Sequence, residues 1–317
     1  MAFEALQPAR LIDGGARIAG TAGRENKLPA EIYLNVAVSG LLTGLVYGLM
    51  ALGLSVIYGV IRIVNFAHGE MMTVGMYLAV FLFSAYRLDP LIMMVPIAAV
   101  MFALGYAMQR GIINRFVDRP EHTQFMLMLA IAIIVVNALL IIFGPDARSV
   151  QTAYALESFA VGPLIIDANK LYAGAVAVAA AAALLLFFRY TLTGKAIRAC
   201  ADNYAGALVV GLDVKRLYAL TFALGAACVG AAGCMMVLLV DVTPPLGPAY
   251  TLLAFVIVIV GGLGSMAGAL LGGVLIGITE ALGGLLFAPS AKSMFAFAML
   301  VLVLLFRPAG LLGKSAR

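Results

Sequence analysis

Four polar side chains set in apolar surroundings are the first candidates for chemistry in this sequence: Asn65, His68, Glu70 and Glu280. The first three, with Arg62, fall in the stretch IRIVNFAHGEMM, between two apolar runs that no turn-rich loop separates. Such a stretch is either a tight cytoplasmic turn or a broken helix whose polar groups face a protein or water cavity. Glu280 lies inside a long apolar segment, where an ionised carboxylate costs about 2.5–3.5 kcal/mol on insertion scales. It either lines a pathway or gate, or sits near a span end and is satisfied by a neighbouring hydroxyl.

Other chemistries find no support. His68 and His122 are the only histidines, and neither has neighbours at metal-ligand spacing, so no metal site is expected. The cysteines Cys200, Cys228 and Cys234 are odd in number and sit in or beside apolar segments, which argues against a disulfide framework. In FVIVIVGGLGSMAG, Gly262, Gly264 and Ala267 fit G-x-G-x-x-G/A, with Glu280 about where a ribose-binding acid would fall. A dinucleotide site needs a strand–turn–helix unit in a parallel sheet, and nothing else in the chain supplies one. Gly264, Gly268 and Gly272 share one helical face, as do Gly273 and Gly277, so close packing of membrane helices is the expected use. Lys195 follows Gly194, but Arg189 and Ala196 stand where a phosphate-binding loop needs Gly and Ser/Thr. No cofactor is expected on this chain, and any ATP must be used by another subunit.

The elements that position these residues are membrane helices. Apolar residues make up 64% of the chain and charged residues 11%, with a mean hydropathy of +1.09. A helix needs about 20 mostly apolar residues to cross the hydrocarbon core, and such runs recur. The expected fold class is all-α, a polytopic integral membrane bundle of about eight or nine transmembrane helices. Residues 1–32 read as a polar N-terminal extension without the apolar core and cleavage site of a signal peptide. Residues 33–317 form the transmembrane domain. Gly40, Gly44 and Gly48 in its first run line one face, spaced for close backbone approach.

The loops at 109–122 and 189–216 and the tail from Arg307 are rich in Lys and Arg, whereas the alternate loops carry Arg87, Arg148, Lys170 and Lys292 among five acids. The first group is therefore cytoplasmic, and the net charge of +5 is no sign of nucleic-acid binding. Nine crossings would leave residues 1–32 outside. Eight, with a re-entrant or broken segment near 61–72, would bring them inside, and that arrangement is the expected one. The cytoplasmic loop at about 189–216 is the longest polar interruption. Within it Ile197, Ala201, Tyr204, Leu208 and Leu212 recur at helical spacing, with Arg198 and Asp202 off the stripe. This predicts one short amphipathic helix, lying on the bilayer or docking its apolar stripe into a partner's groove.

GLVYGLMALGLSVIYG, NFAHG, GKAIRACADNYAGALVVGLD, GGLGSMAGALLGG and the closing RPAGLLG occur in that order between about residues 33 and 313. Together they resemble the permease subunits of branched-chain amino acid ABC importers, and the LivH-like member of the permease pair most closely. The resemblance implies a multi-pass protein of the bacterial inner membrane that is no enzyme itself. Its implied partners are a second, LivM-like permease, two cytoplasmic ATPases and a periplasmic substrate-binding protein, besides membrane lipid. It further implies that Gly194, Lys195, Arg198, Asp202, Asn203 and Gly211 lie at the ATPase contact, and that Asn65–Gly69 lies near the translocation path or its cytoplasmic end. Urea, short amides and small aromatic or dicarboxylic acids are alternative cargoes within the family. An ion-coupled secondary transporter would favour several intramembrane acids or broken helices in both halves. A channel would want a ring of carbonyls or charges, and an enzyme a constellation of reactive groups.

Overall fold

The computed structural model describes residues 30–313. Of the polar segment 1–32, only its last three residues lie among them, and these open the first helix. The helices are α1 (Ala30–Ile61), α2 (His68–Tyr86), α3 (Pro90–Gly111), α4 (Glu121–Phe143), α5 (Ala168–Tyr190), α6 (Leu192–Asp202), α7 (Tyr204–Val209), α8 (Val214–Met236), α9 (Gly247–Gly261), α10 (Met266–Leu286) and α11 (Lys292–Phe306). Among the described residues eight helices are long and apolar enough to cross a membrane, and α11 is a shorter apolar one. The polar punctuation of the sequence becomes their caps. Asp89, Asp167, Thr191, Asn203, Asp213 and Ser265 each accept a backbone N–H from the first turn of α3, α5, α6, α7, α8 and α10. A side chain in that position satisfies one of the amides a helix start leaves unpaired.

One element departs from the all-helical expectation. β1 (Ser158–Val161) and β2 (Leu164–Asp167) form an antiparallel hairpin. The α1 helix, about 48 Å long at 1.5 Å per residue, overshoots a hydrocarbon core of about 30 Å and meets this hairpin. There the Asn35 side chain donates to Pro163 O at 3.0 Å and accepts from the Ile165 N–H at 2.7 Å.

α1 is the packing centre, and its glycines act as expected. A Cβ on Gly44 would lie 2.7 Å from the Gly273 carbonyl oxygen, and one on Gly40 2.7 Å from that of Gly277. Gly48 sits over the Leu270 backbone. α1 and α10 thus touch backbone to backbone, running antiparallel. Gly268 and Gly272 lie on another side of α10, against Gly261 and Ile257 of α9. The expected third member of that face, Gly264, is not helical. It lies in the turn between α9 and α10 with φ +76°, beside Gly59. The C-terminal tail seals this turn: the Leu311 and Leu312 N–H groups each donate at 2.9 Å, to the carbonyls of Val260 and Gly261. The G-x-G-x-x-A stretch is therefore a helix-to-helix reversal.

These contacts also orient the chain. The start of α1 lies with the hairpin and with Lys170, whose Nζ donates to Ser39 Oγ at 2.7 Å. The 112–120 connection lies at the other end with the start of α8, which follows the 191–213 connection, Asn114 Nδ2 donating to the Lys215 carbonyl at 3.3 Å. With that basic end cytoplasmic, α1 begins on the opposite face. The expected inside start is corrected for α1: the nine apolar helices among the described residues alternate in direction, and the broken segment near 61–72 belongs to a crossing rather than to an added re-entrant loop.

Candidate functional site

The break between α1 and α2 is built by alternation. Arg62, at φ +59°, ends α1 with its N–H on Tyr58 O. From there Ile63, Asn65 and Ala67 are buried, while Arg62, Val64 and Phe66 face outward. That period of two marks extended backbone. Between Arg62 and the turn at Phe66–Ala67, residues 63–65 run without helix and add about 10 Å of reach, so the chain climbs back into the bundle before α2 begins. His68 proves it: its Nε2 lies 2.9 Å from Met50 O, and Met50 is about 16 Å along α1 from Ile61. α2 therefore starts near the middle of the membrane.

Three of the sequence candidates converge at that start. Asn65 Oδ1 accepts the Ala67 N–H at 3.0 Å. The Gly69 N–H donates to Thr251 Oγ1 at 2.8 Å, and the Thr251 hydroxyl donates to Glu70 Oε2 at 2.9 Å. Gly69 faces the Gly247 carbonyl and Thr251 N so closely that a Cβ there would clash with both. Asn65, His68 and Glu70 are all fully or almost fully buried. Glu70 and the Gly69 amide tie the first turns of α2 and α9 together through Thr251, while His68 ties α2 to α1. Thr251, more than 180 residues away, completes the cluster and escaped sequence reading. Thr251→Val leaves two buried polar groups unpaired, at about 1–3 kcal/mol each. It is expected to lower the thermal unfolding midpoint in detergent sharply, while Thr251→Ser restores it. An unchanged midpoint for Thr251→Val would remove the junction's structural role.

Glu280 stands apart from this cluster, across the first turn of α9. Its carboxyl faces the Tyr47 hydroxyl and Tyr250, with Lys292 as the nearby cation. The Tyr47 and Tyr250 rings meet edge-on, 6.3 Å apart. Below them a cavity of about 220 Å³ opens between α1, the extended segment and α9, lined by Leu54, Tyr58, Val64, Phe255, Ile259 and others, all apolar save for the Tyr58 hydroxyl. The Phe66 ring packs 5.2 Å from that of Phe255.

The cytoplasmic loop is two helices rather than one. α6 buries Gly194, Ile197 and Cys200 toward the bundle. A Cβ on Gly194 would lie 2.5 Å from Phe187 O, so this glycine lets α6 fold tightly over the end of α5. Burial pushes the Cys200 thiol pKa up, leaving it protonated and unreactive. Lys195, Arg198, Asp202 and Asn203 are exposed. Asn203 breaks the helix by capping α7, its Oδ1 accepting the Gly206 N–H at 2.8 Å. The expected single stripe is thereby corrected: Ile197 points inward, whereas Tyr204 and Leu208 point out. Beyond them Val209 is 87% and Val210 74% exposed, and Gly211 turns the chain at φ +78°. The result is an apolar tip on a charged stalk, projecting from the basic end of the bundle.

The family model described as the branched-chain amino acid transport system permease component matches residues 36–304. The chain belongs to this family. The high-affinity branched-chain amino acid transport system permease protein BraD of Pseudomonas aeruginosa is 32% identical over 295 residues, covering 89% of this chain and 96% of the relative. The corresponding permease protein LivH of Escherichia coli is 30% identical over 302 residues, with the same shares covered. A probable branched-chain amino acid transport permease protein LivH of Methanocaldococcus jannaschii is 26% identical over 258 residues, 80% of this chain and 78% of the relative. No solved structure matches the chain. The matched region contains both the α1–α2 break and the α6–α7 stalk, so this permease family member carries both candidate sites inside its family domain.

Proposed function

We propose that this permease subunit moves branched-chain amino acids across the bacterial inner membrane as one half of a permease pair, driven by two cytoplasmic ATPases and supplied by a periplasmic binding protein. The observation that carries the proposal is the α6–α7 stalk. Its apolar tip of Tyr204, Leu208, Val209 and Val210 is exposed at the basic end, and the chain has no phosphate-binding loop of its own. An exposed apolar knob on a rigid stalk suits insertion into a groove of a soluble partner. Movement of that partner is passed on through Gly194, where α6 and α5 touch backbone to backbone, and through Ile197 in the core. The bundle beyond can rock about its glycine contacts, since shallow backbone-to-backbone crossings slide with little side-chain rearrangement.

Cargo passes along the groove between the extended segment, α1 and α9 and the facing permease. The apolar walls around Phe255 and Val64 accept an aliphatic side chain, and Tyr47, Tyr250 and Glu280 at its upper end offer partners for the amino-acid backbone. Glu280→Gln is expected to slow uptake at normal protein levels; an unchanged rate would take Glu280 off the path.

The test is co-purification of the tagged chain in mild detergent, followed by ATP turnover with candidate binding proteins. Recovery of a second permease and an ATPase, with turnover stimulated by a leucine-loaded binding protein, is expected. Stimulation by urea or an aromatic acid instead would change the cargo. A chain that purifies alone and moves solute down an ion gradient in liposomes would overturn the proposal.

A further inference from the structure

A second cleft lies at the basic end, at the foot of the α6–α7 stalk, where the end of α3 meets the start of α8. It encloses about 660 Å³ and is lined by Arg110, Arg115, Lys215 and Arg216, with Tyr106 and Asn114 among its polar walls. Asp213 is the one acid in the lining, and its carboxylate is occupied in capping α8, accepting the Arg216 N–H at 3.1 Å. The back wall is fixed by amides. Gln109 Nε2 donates to Asn114 Oδ1 at 3.0 Å, and Asn114 Nδ2 reaches the Lys215 carbonyl at 3.3 Å. The cleft's volume, equal to about 20 water molecules, exceeds what a bare phosphate ion fills.

The surface above the cleft identifies the ligand. Along α3, residues 95, 99, 100, 103, 104 and 107 are exposed, all Val, Ala or Leu, and the stripe runs into Arg110. From Val95 to Arg110 it measures about 22 Å, longer than one leaflet's half of the hydrocarbon core, about 15 Å. Tyr106 stands where the stripe meets the cleft, 3.4 Å from Arg110 Nη1, an amphipathic ring at the interface. A cationic cleft at the basic end, continuous with an exposed apolar stripe on a membrane-length helix, fits a molecule with a phosphodiester head and acyl tails.

The geometry points to a specific site for an anionic phospholipid, phosphatidylglycerol in type, with its phosphate between Arg115, Lys215 and Arg216 and an acyl chain along α3. A bound headgroup clamps α3 to α8 just below the stalk, so lipid composition sets how firmly the stalk is anchored.

The test is native mass spectrometry of the full-length chain, purified with its co-expressed partners and titrated with phosphatidylglycerol. Removing two cationic contacts with Lys215→Gln/Arg216→Gln is expected to weaken the tightest binding step roughly 30-fold, at about 1 kcal/mol per basic residue. Arg119→Gln, at the same end but outside the cleft, should leave it unchanged. If the double variant does not accumulate, Arg115→Gln alone should weaken binding roughly fivefold by the same rule. Equal weakening by Arg119→Gln would reduce the site to general surface attraction and overturn the proposal. Displacement of the lipid by millimolar inorganic phosphate would assign the cleft to a soluble anion, and wild-type lipid binding by the cleft variants would empty it. Loss of a co-purified protein from the cleft variants, with lipid binding intact, would assign it to a protein contact instead.

Discussion

Arg198→Glu is expected to abolish uptake while leaving membrane insertion and pairing with the second permease intact. Arg198 is exposed on α6, on the same stalk as Lys195 and Asp202, whereas the helix is anchored by Ile197 and Cys200 on its other side. The substitution therefore removes no packing. It reverses a charge on the surface offered to the partner, and like charges juxtaposed in an interface cost several kcal/mol. Even about 3 kcal/mol lowers the affinity for an ATPase by roughly two orders of magnitude. Val209→Asp should act in the same direction by placing a carboxylate at the apolar tip. Uptake of labelled leucine in cells, normalised to protein in the membrane, reads both. Normal uptake by Arg198→Glu would remove that residue from the contact.

The second large effect is structural. Gly273→Leu places a side chain where the Cβ alone meets the Cα and N of Gly48, and lies 2.8 Å from the Gly44 carbonyl oxygen. Overpacking of side chains typically costs 1–3 kcal/mol. Here the opposing atoms are backbone on the central helix, which cannot turn away as a side chain can. With net stabilities of about 5–15 kcal/mol, the α1–α10 crossing should fail. Folded protein, measured as a monodisperse peak in detergent, is expected to fall at least about tenfold. Leu271→Val, two residues earlier on an exposed side of α10, should fold normally. A full yield of Gly273→Leu would mean that α1 and α10 pack otherwise.

The glycine contacts were legible because four-residue spacing fixes a helical face whatever the partner. Gly40, Gly44 and Gly48 on α1 declared a close crossing, though not that Gly273 and Gly277 would be the partners. Gly264 misled because the same spacing continued backwards past Ser265, the cap that starts α10. Local caps also explain the stalk. Asn203 follows Asp202 in the middle of a helical pattern, and its preference for capping outweighed the stripe from Ile197 to Leu212. The hairpin at 158–167 had a signal in Gly162-Pro163, a turn dipeptide between short apolar runs.

The midplane cluster was half visible. Asn65, His68 and Glu70 stood out as polar groups in apolar sequence, but their role depended on Met50 and Thr251, which no local pattern connects to them. Burial and these contacts show them fixing where α2 begins. Val64, which lines the cavity, and Phe66 beside it are ordinary membrane residues in sequence. Only the backbone's turn from helix to extended chain at Arg62 gives them a direction.

The central claim is that the α6–α7 stalk receives the motor of an ABC importer. The most direct measurement is photo-crosslinking in intact membranes from a reactive residue placed at position 209, with the captured protein sequenced. A crosslink to a subunit carrying a G-x-x-x-x-G-K-[ST] loop, lost when Arg198 is replaced by Glu, is the expected result. Crosslinks to lipid alone, from a complex that still hydrolyses ATP in response to a loaded binding protein, would contradict it.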